Sequence, residues 1–309
     1  MKLVNKTKLV IAAAAALTLS LTGVASASNF TFVVGGASSV ASIMGDCKVA
    51  YSKANSEDSF AYASSSSGQG QKDMESGKND FSFSDSAHLT SQSGTAIPAS
   101  EIHIPTWVWP IGIQYKDFLG NKRTLALSAT TVAKIFAGKI TMWNDPEIQK
   151  INLGKLPKTK ITVVYRMDGS GTSEVFTSYL NSVAPQIWNK PGNKDFKTAF
   201  PGTISPYFQG VSGSTQVAFT QSMFKGSIGY NEVSYARSLK VAGIENETGN
   251  FTYPTPSAAA TFLSKLSFNA ITLSKSMQFV FGPPNVLPQA NSGLSASFAT
   301  NKSAFFSSS

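Results

Sequence analysis

The sequence predicts an α/β fold, and three observations carry that expectation. Short apolar β-type runs recur along the chain, each ends in a loop rich in Ser and Gly, and most of these loops lead into an amphipathic helical pattern. In open α/β sheets such loops lie beyond the carboxyl ends of strands, where ligands bind. No period of self-similarity accompanies the pattern, so a repeat protein is excluded.

The first element is an export leader. Lys2, Lys6 and Lys8 precede the apolar run LVIAAAAALTLSLTGV, and Ala25-Ser26-Ala27 is an A-x-A cleavage signal, so residues 1–27 read as a signal peptide removed near Ala27. The run is short for a membrane anchor, and no cysteine follows it for lipid attachment, which points to a periplasmic or secreted protein. Residues 30–34, FTFVV, read as a strand ending at Gly35-Gly36-Ala37-Ser38-Ser39, with a helix after it. A second strand, SFAYA, ends at Ser64 to Gly70 ahead of a helical QKDMESG, and a third, DFSFS, ends at Ser84-Asp85-Ser86. IHIPTWVWPIGIQY is apolar and β-rich with two prolines, a crossover between lobes.

LSATTVAKIFAG then reads as a helix with Ser128 as N-cap, Val132, Ile135 and Phe136 on its apolar face, and Gly138 as its stop. The run KITVV ends at YRMDGSGTS, and SEVFTSYLNSVA continues as a helix with Val175, Phe176, Tyr179 and Leu180 on one face. Gly210 to Thr215, GVSGST, precedes the helical QVAFTQSMF, and GSIGYNEVSYARSL reads as a strand and a further helix. Beyond about residue 277 the PP, NSG and Ser-rich stretches predict weak order.

Charge and cysteine usage narrow the function classes. Taking the three leader lysines from the formal +9 leaves +6 on a mature chain of about 282 residues, long enough for two domains. Lys and Arg are scattered, without a run of three, which argues against a nucleic-acid partner. Cys47 is the only cysteine, so no intramolecular disulfide forms, and it is expected as a buried small apolar side chain.

Catalytic motifs are missing. The chain has two histidines, His88 and His103, and with one cysteine they make no metal-ligand spacing; G-x-S-x-G and P-loop patterns do not occur. No catalytic residue, metal or cofactor is expected. His88, three residues beyond Asp85, reads as a surface or helix-capping histidine, with a base near a site as the alternative.

The Ser/Gly loops suit a tetrahedral oxyanion, which needs convergent hydroxyl and backbone N–H donors, best supplied at helix N-termini. Ser38 and Ser39, Ser67 with Gly68, and Ser170, Gly171 and Thr172 supply that inventory, and Arg166 adds one fork-shaped cation. Asp168 is spaced to pair with Arg166, holding the guanidinium and muting its charge. Each loop on its own also reads as an ordinary helix cap with a surface ion pair. Asp85 is an acid among these donors: a carboxylate repels an anion with acceptor oxygens only, yet accepts a hydrogen bond from a protonated one. Helix N-capping is its other reading.

With these residues in place, VVYRMDGSGTSEVFTSYL resembles the R-x-D-G-S-G-T-S-x-x-F-T-S-Y-L signature of the periplasmic phosphate-binding proteins, the substrate-capturing subunits of the ABC phosphate transporter. GKITMWNDPEIQKINLGKLP, the stretch from Tyr62 to Asp85, Gly36-Ala37-Ser38 and GSIGYNEVSYA also match that family's segments, and the similarity covers most of residues 30–260. The resemblance implies a two-lobed solute-binding fold with a hinge and a ligand cleft: residues 28–104 in lobe 1, 105–250 in lobe 2, and 251–309 as a return segment and poorly matched tail. It implies hydrogen phosphate held by Ser38, Ser39, Ser67, Asp85, Arg166, Ser170, Gly171 and Thr172, with Asp168 supporting Arg166, and a monomer delivering its ligand to a membrane permease.

Three departures stand out. Ser39-Val40 replaces a bulky aromatic and a proline in the first loop, Gly68-Gln69-Gly70 stands where Ser-Gly-Gly is usual, and the C-terminal region is shorter. The first and the last keep one alternative in play, a surface or signalling protein with altered ligand binding; a secreted phosphatase using the same cradle is a second alternative.

Overall fold

The computed structural model describes residues 31–54, 59–86, 88, 91–94, 111–116, 124–152, 156–246 and 248–264. The leader, His103 and the Ser-rich tail lie outside these residues. In chain order the elements are β1 (Thr31–Ala37), α1 (Ala41–Ala54), β2 (Ser59–Ser65), α2 (Ser67–Glu75), β3 (Phe81–Phe83), β4 (Ile111–Tyr115), β5 (Ala126–Leu127), α3 (Ala129–Phe136), α4 (Pro146–Ile151), β6 (Thr162–Arg166), α5 (Gly171–Val183), α6 (Phe196–Ala199), β7 (Gln209–Val211), α7 (Ser214–Met223), β8 (Ser227–Glu232), β9 (Lys240–Val241), β10 (Gly243–Glu245), β11 (Phe251–Thr252) and α8 (Pro256–Ser264). Short 3-10 turns follow β1 at Ser38–Val40 and β8 at Val233–Ala236.

The first lobe is built on a parallel sheet in the order β2-β1-β3. Its middle strand departs from the sequence expectation: β1 runs on through Gly35 and Gly36 to Ala37 instead of ending at Val34. The glycines are there for close approach and not for a turn. A Cβ on Gly36 would stand 2.2 Å from the Phe83 carbonyl oxygen, and one on Gly70 would stand 2.7 Å from Gly36 Cα, so α2 and β3 press directly on the β1 backbone. Ser66 caps α2 by accepting from Gln69 N, which starts the helix at Ser67, ahead of QKDMESG.

The second lobe carries a five-stranded mixed sheet in the order β7-β6-β8-β4-β9, with β6 parallel to both neighbours and β4 antiparallel to β8 and β9. A small sheet, β11-β10-β5, lies beside it, and its β11 extends past residue 250. Every residue of β8 is buried, as expected of a central strand covered on both faces. Phe176 of α5 stacks on Tyr230 of β8 at 4.4 Å between ring centroids and meets Phe136 of α3 edge-on at 4.7 Å, joining sheet and helices in one core that also holds Trp143, Trp188 and Phe196. The α3 boundaries are those expected: Ser128 accepts from Thr131 N, and Gly138 has φ of +72° just beyond the end.

Three expectations need correction. The segment after β8 is a short 3-10 turn and not an α-helix: Glu232 caps its start by accepting from Ser234 N, and Tyr235 is tied across to the Ser38 carbonyl at 2.6 Å. Cys47 is exposed, since α1 has no buried residue among those described. His88 is neither a surface nor a capping residue: it is buried with Nε2 2.8 Å from Glu75 Oε1. Of IHIPTWVWPIGIQY, only β4 falls within the described residues. No helix among the described residues is long and apolar enough to cross a membrane.

Candidate anion-binding site

The facing ends of the two lobes bring together all eight residues expected at the site. Ser38 and Ser39 open the 3-10 turn after β1, Ser67 opens α2, and Asp85 follows β3; from the second lobe, Arg166 ends β6, Ser170 caps α5, and Gly171 and Thr172 form its first turn. All are buried. Strand ends and helix starts meet because each β-loop-α unit aims its loop toward the same gap.

Asp85 stands at the centre. Its carboxylate accepts from Ser39 Oγ, 2.8 Å from both oxygens, and from Thr172 Oγ1 of the opposite lobe at 2.7 Å. Its own N–H donates to Ser67 Oγ at 3.1 Å. The N-capping alternative fails in its simple form, because Ser86 and His88 are not helical; Asp85 instead faces the start of α5 from the other lobe. Burial pushes its pKa up, opposed by the hydroxyls of Thr172 and Ser39 and by the Arg166 charge.

Arg166 is 2% exposed and held on every side. Asp168 receives it in a two-pronged pair, Nε to Oδ1 at 2.6 Å and Nη2 to Oδ2 at 2.5 Å, as the spacing predicted. Asp168 Oδ1 also accepts from Gly213 N at 3.3 Å, so one carboxylate braces both the guanidinium and the loop before α7. Ser214, at the start of α7, lies 3.4 Å from Arg166 Nη1; its N–H donates to Ser38 Oγ at 3.0 Å, and the two hydroxyls are 3.2 Å apart.

Ser214 is the site residue that the sequence reading passed over. The signal was present, since GVSGST is a fifth strand-loop-helix junction of the same composition as the others. Tyr230 also belongs to the frame: its OH accepts from Arg166 N at 3.1 Å and lies 2.6 Å from Ser173 Oγ. No pattern in the sequence marks that tyrosine apart from other core aromatics.

Backbone approach is as close here as inside the first lobe. Gly68 N donates to Gly169 O at 2.9 Å across the lobes. A Cβ on Gly171 would come within 2.7 Å of Asp85 Cβ, the Asp85 carbonyl carbon and Ser67 Oγ, so only glycine fits that helix start. The result is a ring of hydroxyls, helix N-termini and one neutralised cation around the buried Asp85 carboxylate. Such a ring grips an oxyanion through hydrogen bonds and leaves little net charge behind. Among the described residues, no group of three His, Cys, Asp or Glu side chains could hold a metal ion.

Comparisons with known proteins agree with this architecture. The chain is 35% identical over 209 residues to a protein of Mycobacterium bovis named phosphate-binding protein PstS2, covering 65% of this chain and 53% of that one. It is 32% identical over 212 residues to the phosphate-binding protein PstS of Methanocaldococcus jannaschii, covering 66% and 54%. The chain thus spans about half the length of the curated relatives it matches. Among solved structures, the high-affinity periplasmic phosphate-binding protein PfluDING, bound with phosphate, superposes with a TM-score of 0.66 at 21% identity, covering 83% of this chain and 74% of that one. The likeness establishes a shared two-lobed α/β fold. Residues 22–279 match the family model of the PBP superfamily domain, and the chain belongs to that superfamily.

Proposed function

We propose that this chain binds inorganic phosphate, as a protonated oxyanion, between its lobes and delivers it to the permease of an ABC phosphate transporter. The observation that carries the reading is Asp85, a buried carboxylate among neutral donors at the closing faces of the lobes. With Arg166 balanced by Asp168, Asp85 is the charge that decides which anions enter. A fully deprotonated anion about 4 Å away would meet a repulsion of about 4 kcal/mol at an effective dielectric of about 20. An anion that carries a proton donates it in a hydrogen bond to the same carboxylate and turns the repulsion into attraction.

Ser38, Ser39, Ser67, Ser170, Gly171 and Thr172 would supply the remaining donors, with Arg166 the only charged one, so that many weak neutral contacts and not a lattice of charges confer affinity. Although the first and second loops depart from the family pattern, each still places a hydroxyl on Asp85, through Ser39 and Ser67. The names of the relatives support phosphate as the ligand. The same reading includes a leader removed near Ala27, an extracytoplasmic monomer, lobe boundaries near residues 104 and 250, a return of the chain to lobe 1 after residue 251, and binding without turnover.

Titration calorimetry with phosphate and sulfate tests it. The unaltered protein is expected to bind phosphate and exclude sulfate, and Asp85→Asn to gain at least tenfold in sulfate affinity relative to phosphate. A protein that binds neither anion, or a variant with unchanged discrimination, refutes the assignment.

A further inference from the structure

Outside the anion ring, a second set of contacts ties the lobes together. Lys194, between α5 and α6 of the second lobe, reaches over to the first lobe and donates from Nζ to Gln71 Oε1 at 2.8 Å and to Gln92 Oε1 at 2.6 Å. Gln71 is buried on α2, and its amide is oriented: Nε2 donates to Ser84 Oγ at 3.1 Å and to the Ser86 carbonyl at 3.0 Å, which leaves the oxygen turned to the lysine. Gln92 is held by its backbone, whose N–H donates to the buried Glu75 carboxylate at 2.5 Å, and the same carboxylate accepts from Ser93 N at 2.8 Å. Beside these, Ser86 Oγ donates to Glu174 Oε2 on α5 at 2.7 Å.

We propose that Lys194, with Gln71, Gln92 and the Ser86–Glu174 pair, is a closure latch that holds the two lobes together from outside the ligand shell and sets how long a bound anion stays. Gln71 is oriented by Ser84 and Ser86 of its own lobe, so the latch costs little ordering of that side chain when it forms. Its acceptors are neutral carboxamides, which give charge-assisted hydrogen bonds without a buried ion pair that would lock the lobes shut. Lys194 also stands directly behind the anion site, because its carbonyl accepts from Ser170 N at 3.0 Å. The main-chain contact remains when the side chain is changed, so the latch and the Ser170 cap are separable. Burial pushes the Lys194 ammonium pKa down, opposed by the charges of Glu174 and Glu75, in keeping with a lysine drawn into the interlobe contact.

The inference rests on the proposed phosphate binding for its kinetic readout only. Lys194→Met keeps the apolar stem and removes the three donors; Lys190→Met, at an exposed lysine in the same connection, is the control. Stopped-flow measurement is expected to show phosphate dissociation about tenfold faster in Lys194→Met, with association no slower and Lys190→Met like the unaltered protein. Small-angle scattering of the ligand-free protein is expected to show a larger radius of gyration in Lys194→Met. Glu174→Ala, which breaks the neighbouring link, is expected to act in the same direction and stands in if Lys194→Met fails to fold. A protein that binds phosphate but dissociates within twofold of the unaltered rate in both variants overturns the latch. If the unaltered protein binds no phosphate, the functional reading fails separately, and an unchanged radius of gyration in both variants then overturns the latch.

Discussion

Gly171→Ala separates closure from folding. A Cβ at this position would lie 2.7 Å from three atoms of Asp85 and Ser67, whereas ordinary van der Waals contact begins near 3.4 Å. Those atoms belong to backbone, to the Cβ of a buried residue and to a hydroxyl already bonded to Asp85 N, so none can swing aside. The lobes must part by several tenths of an ångström, which loosens Thr172–Asp85 and Gly68–Gly169 together. Overpacking of this kind costs about 1–3 kcal/mol, or about 5- to 150-fold in affinity at 1.4 kcal/mol per decade. The open protein meets no such clash, and Ala is a better helix former than Gly by about 0.5–1 kcal/mol. Calorimetry should therefore show weaker phosphate binding while the ligand-free melting temperature holds or rises. Phosphate affinity within twofold of the unaltered protein, or a loss matched by an equal fall in ligand-free stability, would refute this account of Gly171.

Two further outcomes follow from buried charges. Arg166→Ala is expected to weaken phosphate binding by at least tenfold, and more than Arg166→Lys does, because a lysine still supplies the cation but not the two-pronged contact with Asp168; equal losses in the two variants would contradict that role. Glu75 and Glu232 should shape stability against pH in opposite senses, read from chemical denaturation across pH 2 to 8. Burial raises the Glu75 pKa, but donors from Ser93, Gln92 and His88 outweigh it and bring it to about 2, below its ordinary 4.5. Its contribution is thus present above about pH 4.5 and lost as pH falls toward 2. Glu232 is raised to about 7 by burial and by the nearby Asp85 charge, against the Ser234 donors, so its folded form holds the proton and stability falls as pH rises from about 4.5 to 7. Glu75→Gln and Glu232→Gln should flatten the acid and near-neutral limbs respectively, and unchanged slopes would show that these carboxylates do not set them.

The sequence alone carried the local grammar of this protein. Ser128 and Gly138 bound α3 as read, Val175, Phe176, Tyr179 and Leu180 are the buried face of α5, and the two-residue spacing of Arg166 and Asp168 sufficed to pair them. These are short-range relations, and periodicity or a cap expresses them within one turn or one loop. The Ser and Gly of four loops were also legible as hydroxyls and bare backbone, which are what a helix start offers to an anion.

Tertiary structure decided what those loops do to one another. Gly35 and Gly36 read as the end of a strand and are strand interior: a Cβ on Gly35 would meet the Ala63 carbonyl of β2 and one on Gly36 the Phe83 backbone of β3, and Gly36 also has a φ of +117°. Ser214 entered the site, His88 turned inward to Glu75, and Asp85 met Thr172, each through a partner far along the chain. The pairing of Lys194 with Gln71 crosses a sequence separation of 123 residues and leaves no trace in either segment. A residue's type states which bonds it can make; only the packing of the two lobes chose the partner that receives them.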